Sequence, residues 1–187
     1  HDALPLPNGD VLFMTEEERS VDVEELGGMT TLKGDKLIRV SADGAVSWSW
    51  SNFDYLDTNR FPGALSMEEA RDSQALDWSH GNAVALFPDG NSILYSARNQ
   101  SWLVKISLDS GDVQWILGEE GDFSLTSGEW FYNQHAPELE ADGSLVLYDN
   151  GNERPTGSST RAVRFQLDEN AMEVSQVWEW DSPLYTD

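Results

Sequence analysis

The three histidines of this 187-residue chain are the residues best placed to do chemistry, because each opens the same kind of unit. His1 begins HDALPLPNGDVLFMT, His80 begins HGNAVALFPDGNSILYSA and His135 begins HAPELEADGSLVLYDN. In each unit a short apolar run, a tight turn and a second run follow, and the turn glycines Gly9, Gly90 and Gly143 lie 8, 10 and 8 residues after the histidine. Arranged around an axis, units in this register bring three imidazoles toward one centre. Neutral rings there can act as nucleophiles or bases, and protonated ones as cations. Three imidazoles also suit zinc. However, the histidines are 79 and 55 residues apart, no HExxH pattern occurs, and the acidic runs at 16–18 and 24–25 lack the spacing of a calcium loop. No metal is expected.

The elements that must position these residues read as hairpins. Asn8-Gly9, Asp89-Gly90 and Asp142-Gly143 sit between β-rich runs, a strong hairpin signal. A second set, residues 37–50, 103–117 and 162–180, shares a plan of alternating strand, polar turn and strand ending on tryptophan. Each unit therefore reads as four antiparallel strands, and the chain as about three such units over 1–50, 80–117 and 135–180. A four-stranded module repeated at ~40–50 residues is the signature of a propeller blade. The expected fold is all-β, a single β-propeller domain of four-stranded antiparallel blades. Because about three blades make an awkward ring, and the chain starts on a histidine unit and stops just past a last strand, it is expected to be a segment or half of a larger propeller. Trp50, Trp115 and Trp180 are expected to pack between neighbouring sheets.

Loops carry the remaining signals. Ser66-Met67-Glu68-Glu69, within 51–79, resembles a capping box and predicts a short helix on one rim. Residues 118–134 form a candidate substrate wall, in which Trp130, Phe131 and Tyr132 could stack on an aromatic ring. Residues 149–160 are rich in turn formers, carry Arg154 and are expected as an exposed loop.

Composition bounds the partners. Thirty-four acidic against 11 basic side chains give a net charge of −23, which argues against nucleic acid and anionic membranes as partners. There is no cysteine, so disulfide and thiolate chemistry are out, and an oxidising compartment is compatible. No run approaches the ~18 apolar residues of a membrane span, and no signal segment opens the sequence. A periplasmic or secreted location is expected.

Several ordered motifs together resemble the bacterial, PAPS-independent arylsulfate sulfotransferases. They are His80 followed by Asn82-Ala83-Val84, Ser96-Ala97-Arg98-Asn99, Trp115-Ile116-Leu117-Gly118, Gln134-His135, and Asp149-Asn150-Gly151 with Arg154 beyond it. The resemblance runs over most of the chain and is strongest from about residue 77 to 180. It implies a six-bladed propeller with a central funnel. There a sulfuryl group passes from an aryl sulfate donor to a phenolic acceptor through a sulfohistidine, with no cofactor. It also implies that His80 and His135 are funnel histidines contacting the sulfate, that Arg154 binds sulfate, and that His1-Asp2 opens an earlier blade. The family's nucleophilic histidine belongs to a later blade, and no histidine follows His135 here.

The candidate catalytic residues are thus His80, His135 and Arg154, and the candidate substrate contacts His1, Arg98, Asn150, Trp130 and Tyr132. Arg98 is also read as a blade-edge residue bridging to a nearby acid, less important than Arg154, and Asn150 as a turn former. The competing function is a non-catalytic propeller module that binds a small anion or a protein partner. In either case a homo-oligomer that completes the ring is expected.

Overall fold

The computed structural model describes residues 2–61, 74–152, 154–157 and 159–181. Its elements are β1 (Ala3–Pro5), β2 (Val11–Val23), β3 (Gly28–Val40), β4 (Val46–Ser51), β5 (Leu76–Asp77), β6 (Gly81–Leu86), β7 (Ser92–Ala97), β8 (Trp102–Ser107), β9 (Val113–Leu117), β10 (Ser124–Ser127), β11 (His135–Leu139), β12 (Ser144–Asp149), β13 (Arg161–Asp168) and β14 (Glu173–Asp181). Three single turns of 3-10 helix are the only helical pieces among the described residues. The chain is all-β.

The strands form three sheets, ordered β1-β2-β3-β4, β6-β7-β8-β9 and β10-β14-β13-β12-β11. Four-stranded antiparallel meanders like these are consistent with propeller blades, although no closed barrel forms. Two strands exceed the four-strand plan: β5 adds in parallel to β3, and β10, inside the expected loop 118–134, adds in parallel to β14. The first sheet also departs from the plan in length, because β2 and β3 pair from Val11↔Val40 out to Val23↔Gly28. The acidic runs lie on this arm and its tip. The expected helix at 66–69 lies outside the described residues.

The first hairpin of each unit turns in the same way. Gly9, Gly90 and Gly143 have φ of 89°, 71° and 81° and donate their N–H to Leu6, Phe87 and Glu140 at 3.0, 2.9 and 3.0 Å. Only glycine takes these angles without strain. Asn8, Asp89 and Asp142 each accept the backbone N–H two residues on, as Asx turns do.

The middle sheet is buried on both faces, and every residue of β7 is inside. The two-residue period of a strand therefore splits its side chains between two cores. Ile93, Tyr95, Val104 and Ile106 meet Leu12, Leu37 and Trp50 of the first sheet. Leu94, Leu103, Trp115 and Leu117 meet Phe131, Leu145, Val163 and Phe165 of the third. Trp50 and Trp115 pack between sheets as expected, at 2% and 4% exposure. Trp180 does not: it is 54% exposed, with Trp178 at 50%, because no described element covers the end of β14.

A buried ionic knot closes the third sheet. Asp149 Oδ2 accepts Arg154 Nη2 and Arg161 Nε, both at 2.8 Å, while Oδ1 accepts the N–H groups of Tyr132 and Gly151. The expected loop 149–160 is thus exposed only in part, since Arg154 folds back and is buried. Asp149→Asn leaves two buried guanidinium groups facing a neutral amide, and breaking such a pair costs about 3–5 kcal/mol. Urea unfolding of the variant should show that loss; a change below ~1 kcal/mol would mean the knot carries little.

Candidate functional site

The innermost strands β1, β6 and β11 lie side by side, so the residues that open them come to one edge of the stack. Asp2 Oδ2 accepts Val84 N–H on β6 at 2.9 Å, and Asn82 Nδ2 on β6 donates to Gln134 O, next to β11, at 2.7 Å. His1, beside Asp2, lies outside the described residues. His80 and His135 come within electrostatic range of each other and of Arg98. Burial first, then the charges of Arg98 and His80, hold the His135 imidazolium below its ordinary pKa.

His80 sits on a strained turn. Its φ is +48°, in the left-handed region that costs a non-glycine residue about 1–3 kcal/mol. Its Nδ1 lies 2.6 Å from Asp77 Oδ2. An ionised Asp77 is acceptor-only, so Nδ1 carries a proton, and the other nitrogen, Nε2, is a donor when the ring is an imidazolium. The ring therefore presents a defined nitrogen. The turn around His135 is strained in the same sense, with Asn133 at φ +53° and Ala136 at +45°. Gln134, between them, is fully buried and donates through Nε2 to Ser96 Oγ and Trp102 O of the middle sheet, at 3.0 and 2.9 Å.

Arg98 belongs to this group by construction of the backbone. It opens a 3-10 turn, Arg98–Gln100, whose Arg98 and Asn99 N–H groups donate to His80 O and Ser79 O. Asn133 Nδ2 donates to Arg98 O at 3.2 Å, and Asn150 Nδ2 to Asn133 O at 2.5 Å. Among the described residues no acid pairs with Arg98, whose Nη1 donates to the Asn99 amide oxygen at 2.8 Å. Asn150 serves as a tie between loops. The motif residues around the histidines thus mostly bond one another.

Arg154 lies elsewhere. With Trp130 and Tyr132 it lines a cavity of about 230 Å³ that also takes in Leu125 and Pro155. Its Nη1 and Nη2 are bonded to Asp149 and Ser159, while its buried Nε has no hydrogen-bond partner among the described residues. Tyr132 donates its hydroxyl to Glu119 at 2.8 Å, and burial, followed by that carboxylate, pushes the phenol well above its ordinary pKa. Phe131 is core and not wall. A larger cavity of about 680 Å³ is lined by Glu25, Asp57, Glu119 and Glu120 around Arg60 and Trp102. Its carboxylates disfavour an anionic ester, and Arg60 is already stacked on Trp102 at 3.9 Å. No group of three or more acidic or histidine side chains among the described residues is arranged to hold a metal ion. No helix among them is long and apolar enough to cross a membrane.

Comparison with known proteins agrees with the motifs. The family model described as Arylsulfotransferase (ASST) matches residues 1–187. The chain belongs to the arylsulfotransferase family. It is 27% identical over 218 aligned residues to an arylsulfate sulfotransferase of Escherichia coli, covering 91% of this chain and 34% of that protein. It is 26% identical over 138 residues to an arylsulfate sulfotransferase of Lelliottia amnigena, covering 56% and 23%. Among solved structures, a protein of unknown function from Bacteroides caccae superposes with a TM-score of 0.45 at 14% identity, covering 97% of this chain and 66% of that one. The chain spans about a third or less of the length of the curated relatives it matches.

The depressed His135 pKa has a consequence for stability. The native ring binds its proton more weakly than the unfolded one, so stability is lost as the pH falls below the ordinary value of 6.5. The loss stops growing once the pH is below the folded value. His135→Gln should flatten the pH dependence of urea unfolding between about pH 7 and pH 5. Identical slopes for the two proteins would contradict the assignment.

Proposed function

We propose that this chain supplies the sulfuryl-binding part of an arylsulfate sulfotransferase funnel, acting on an aryl sulfate donor and a phenolic acceptor. The observation that carries the reading is the convergence of His80, His135 and Arg98 at the innermost edge of the stack, within a chain of this family. On a molecule of net charge −23, such a cationic and N–H-donating focus is what an anionic ester requires.

Sulfuryl transfer spreads charge over three oxygens that do not take part in bond making, so positioned donors do most of the work. In the first step an imidazole nitrogen forms the N–S bond as the S–O bond to the aryl group breaks, and the aryl oxygen leaves with the electron pair. In the second, the acceptor oxygen attacks sulfur, the N–S bond breaks, and the phenol proton passes to a base. His80, His135 and Arg98 would hold the sulfuryl oxygens through both steps. On the family resemblance, the attacking imidazole would come from another blade. Arg154, with Trp130 and Tyr132, would shape the wall against the aryl ring from its own cavity. A periplasmic or secreted location belongs to the same reading.

In the complete protein, replacing His80, His135 or Arg98 by alanine should lower transfer from p-nitrophenyl sulfate to phenol about a hundredfold or more, the usual loss when an oxyanion-type donor is removed. Chromogenic assays read the loss directly. Near-normal turnover in all three variants would remove these residues from the site, and absence of transfer by the wild-type protein would leave the non-catalytic binding module as the better account. Sulfate affinity of the same protein, measured by calorimetry, should rise as His135 becomes protonated below pH 6.5; affinity that falls on acidification would remove His135 from the anion site.

A further inference from the structure

A carboxylate with no part in the family motifs stands directly behind His80. Asp35, on β3 of the first sheet, is 4% exposed. One of its oxygens, Oδ2, takes Ser79 Oγ at 2.5 Å, Gly81 N at 2.7 Å and Tyr95 OH at 2.8 Å. Ser79 and Gly81 are the two residues that flank His80. The remaining partners close the network: Asn52 Nδ2 donates to the Tyr95 hydroxyl at 3.2 Å, and Asn52 Oδ1 accepts the Asp35 N–H at 3.1 Å. Ser79, Asn52 and Tyr95 are all fully buried.

The donors fix the charge state. The Gly81 N–H can only donate, and the Tyr95 hydroxyl, which receives a proton from Asn52, passes its own to Asp35. An oxygen with three such neighbours is acting as a carboxylate. Burial raises the Asp35 pKa, and the three donors oppose the rise. A buried charge is an expensive way to fill a space beside the first core. A Cβ at position 81 would collide with the Asp35 carboxyl and with Met14 Sδ, so the close approach also dictates that glycine.

We propose that Asp35 is a positioning residue for His80: its carboxylate clamps both flanks of the histidine and holds the left-handed turn that aims the ring at the sulfuryl group. This rests on the role given to His80 above. Asp77 supports the same ring differently, through Nδ1, and β5 brings it to β3 at Lys33, two residues from Asp35. The two supports lie on paired strands of the first sheet, Asp77 on β5 for the ring and Asp35 on β3 for its backbone.

The test compares Asp35→Asn, Ser79→Ala and Tyr95→Phe in the complete protein, by melting temperature, imidazole 1H–15N spectra and transfer kinetics. Asp35→Asn should move the His80 ring signals, leave those of His135 in place, and lower kcat tenfold or more. Ser79→Ala should shift the same His80 signals in the same direction by less. Tyr95→Phe removes a donor from the same oxygen without touching a flank of His80, so it should lower the melting temperature and leave the His80 signals unmoved. If Asp35→Asn fails to fold, the Ser79 and Tyr95 variants decide between positioning and bulk stability. The proposal is overturned if His80 signals are unchanged in Asp35→Asn and Ser79→Ala, or if Tyr95→Phe moves them as far. Absence of transfer by the wild-type protein would sink the functional reading alone, since the spectra still judge the clamp.

Discussion

Burial of the middle sheet on both faces is the constraint on which the rest of the molecule depends. Apolar side chains alternate along β7 and β8 into two cores, so the sheets on either side must stack face to face against this one. That stacking brings β1, β6 and β11 to a common edge, and with them the turns that carry the histidines. The site is therefore a by-product of where the hydrophobic layers put their first strands.

Apolar contact is not directional, and by itself it lets stacked sheets slide. Polar joints remove that freedom. Asp2 reaches Val84, Asn82 reaches the Gln134 carbonyl, Gln134 reaches Ser96 and Trp102, and Asp35 reaches Ser79 and Gly81. Buried polar groups of this kind are costly unless satisfied, and specific once they are. Here they also hold left-handed backbone at His80, Asn133 and Ala136. The same bonds thus fix the sheets and shape the histidine turns.

The hairpin turns and the all-β class were legible because glycine and Asx chemistry is local: Gly9, Gly90 and Gly143 need only their own neighbours. Trp50 and Trp115 were legible as inter-sheet residues for their size, whereas Trp180 has the same sequence context but no described sheet against it. Strands β5 and β10 escaped notice, since pieces of two and four residues added in parallel have no period to read. The place of Arg98 beside the histidines was not legible because it is set by a 3-10 turn bonded to the His80 loop. Asp35 was invisible for two reasons. Gly34-Asp35 reads as a turn in a chain with 34 acidic residues, and its partners lie 44 to 60 positions away.

Because the bonds that set each histidine turn straddle two sheets, the unit that can be exchanged intact between relatives is not the sheet. A recombination point placed in the linker before His80 would part Ser79 and Gly81 from Asp35, and one before Gln134 would part it from Ser96 and Trp102. A break at a hairpin tip such as Asp89-Gly90 spares both of these sets but parts Tyr95 from Asp35 and Asn82 from Gln134. The histidine turns of this protein thus belong to the seams between sheets and not to any one sheet.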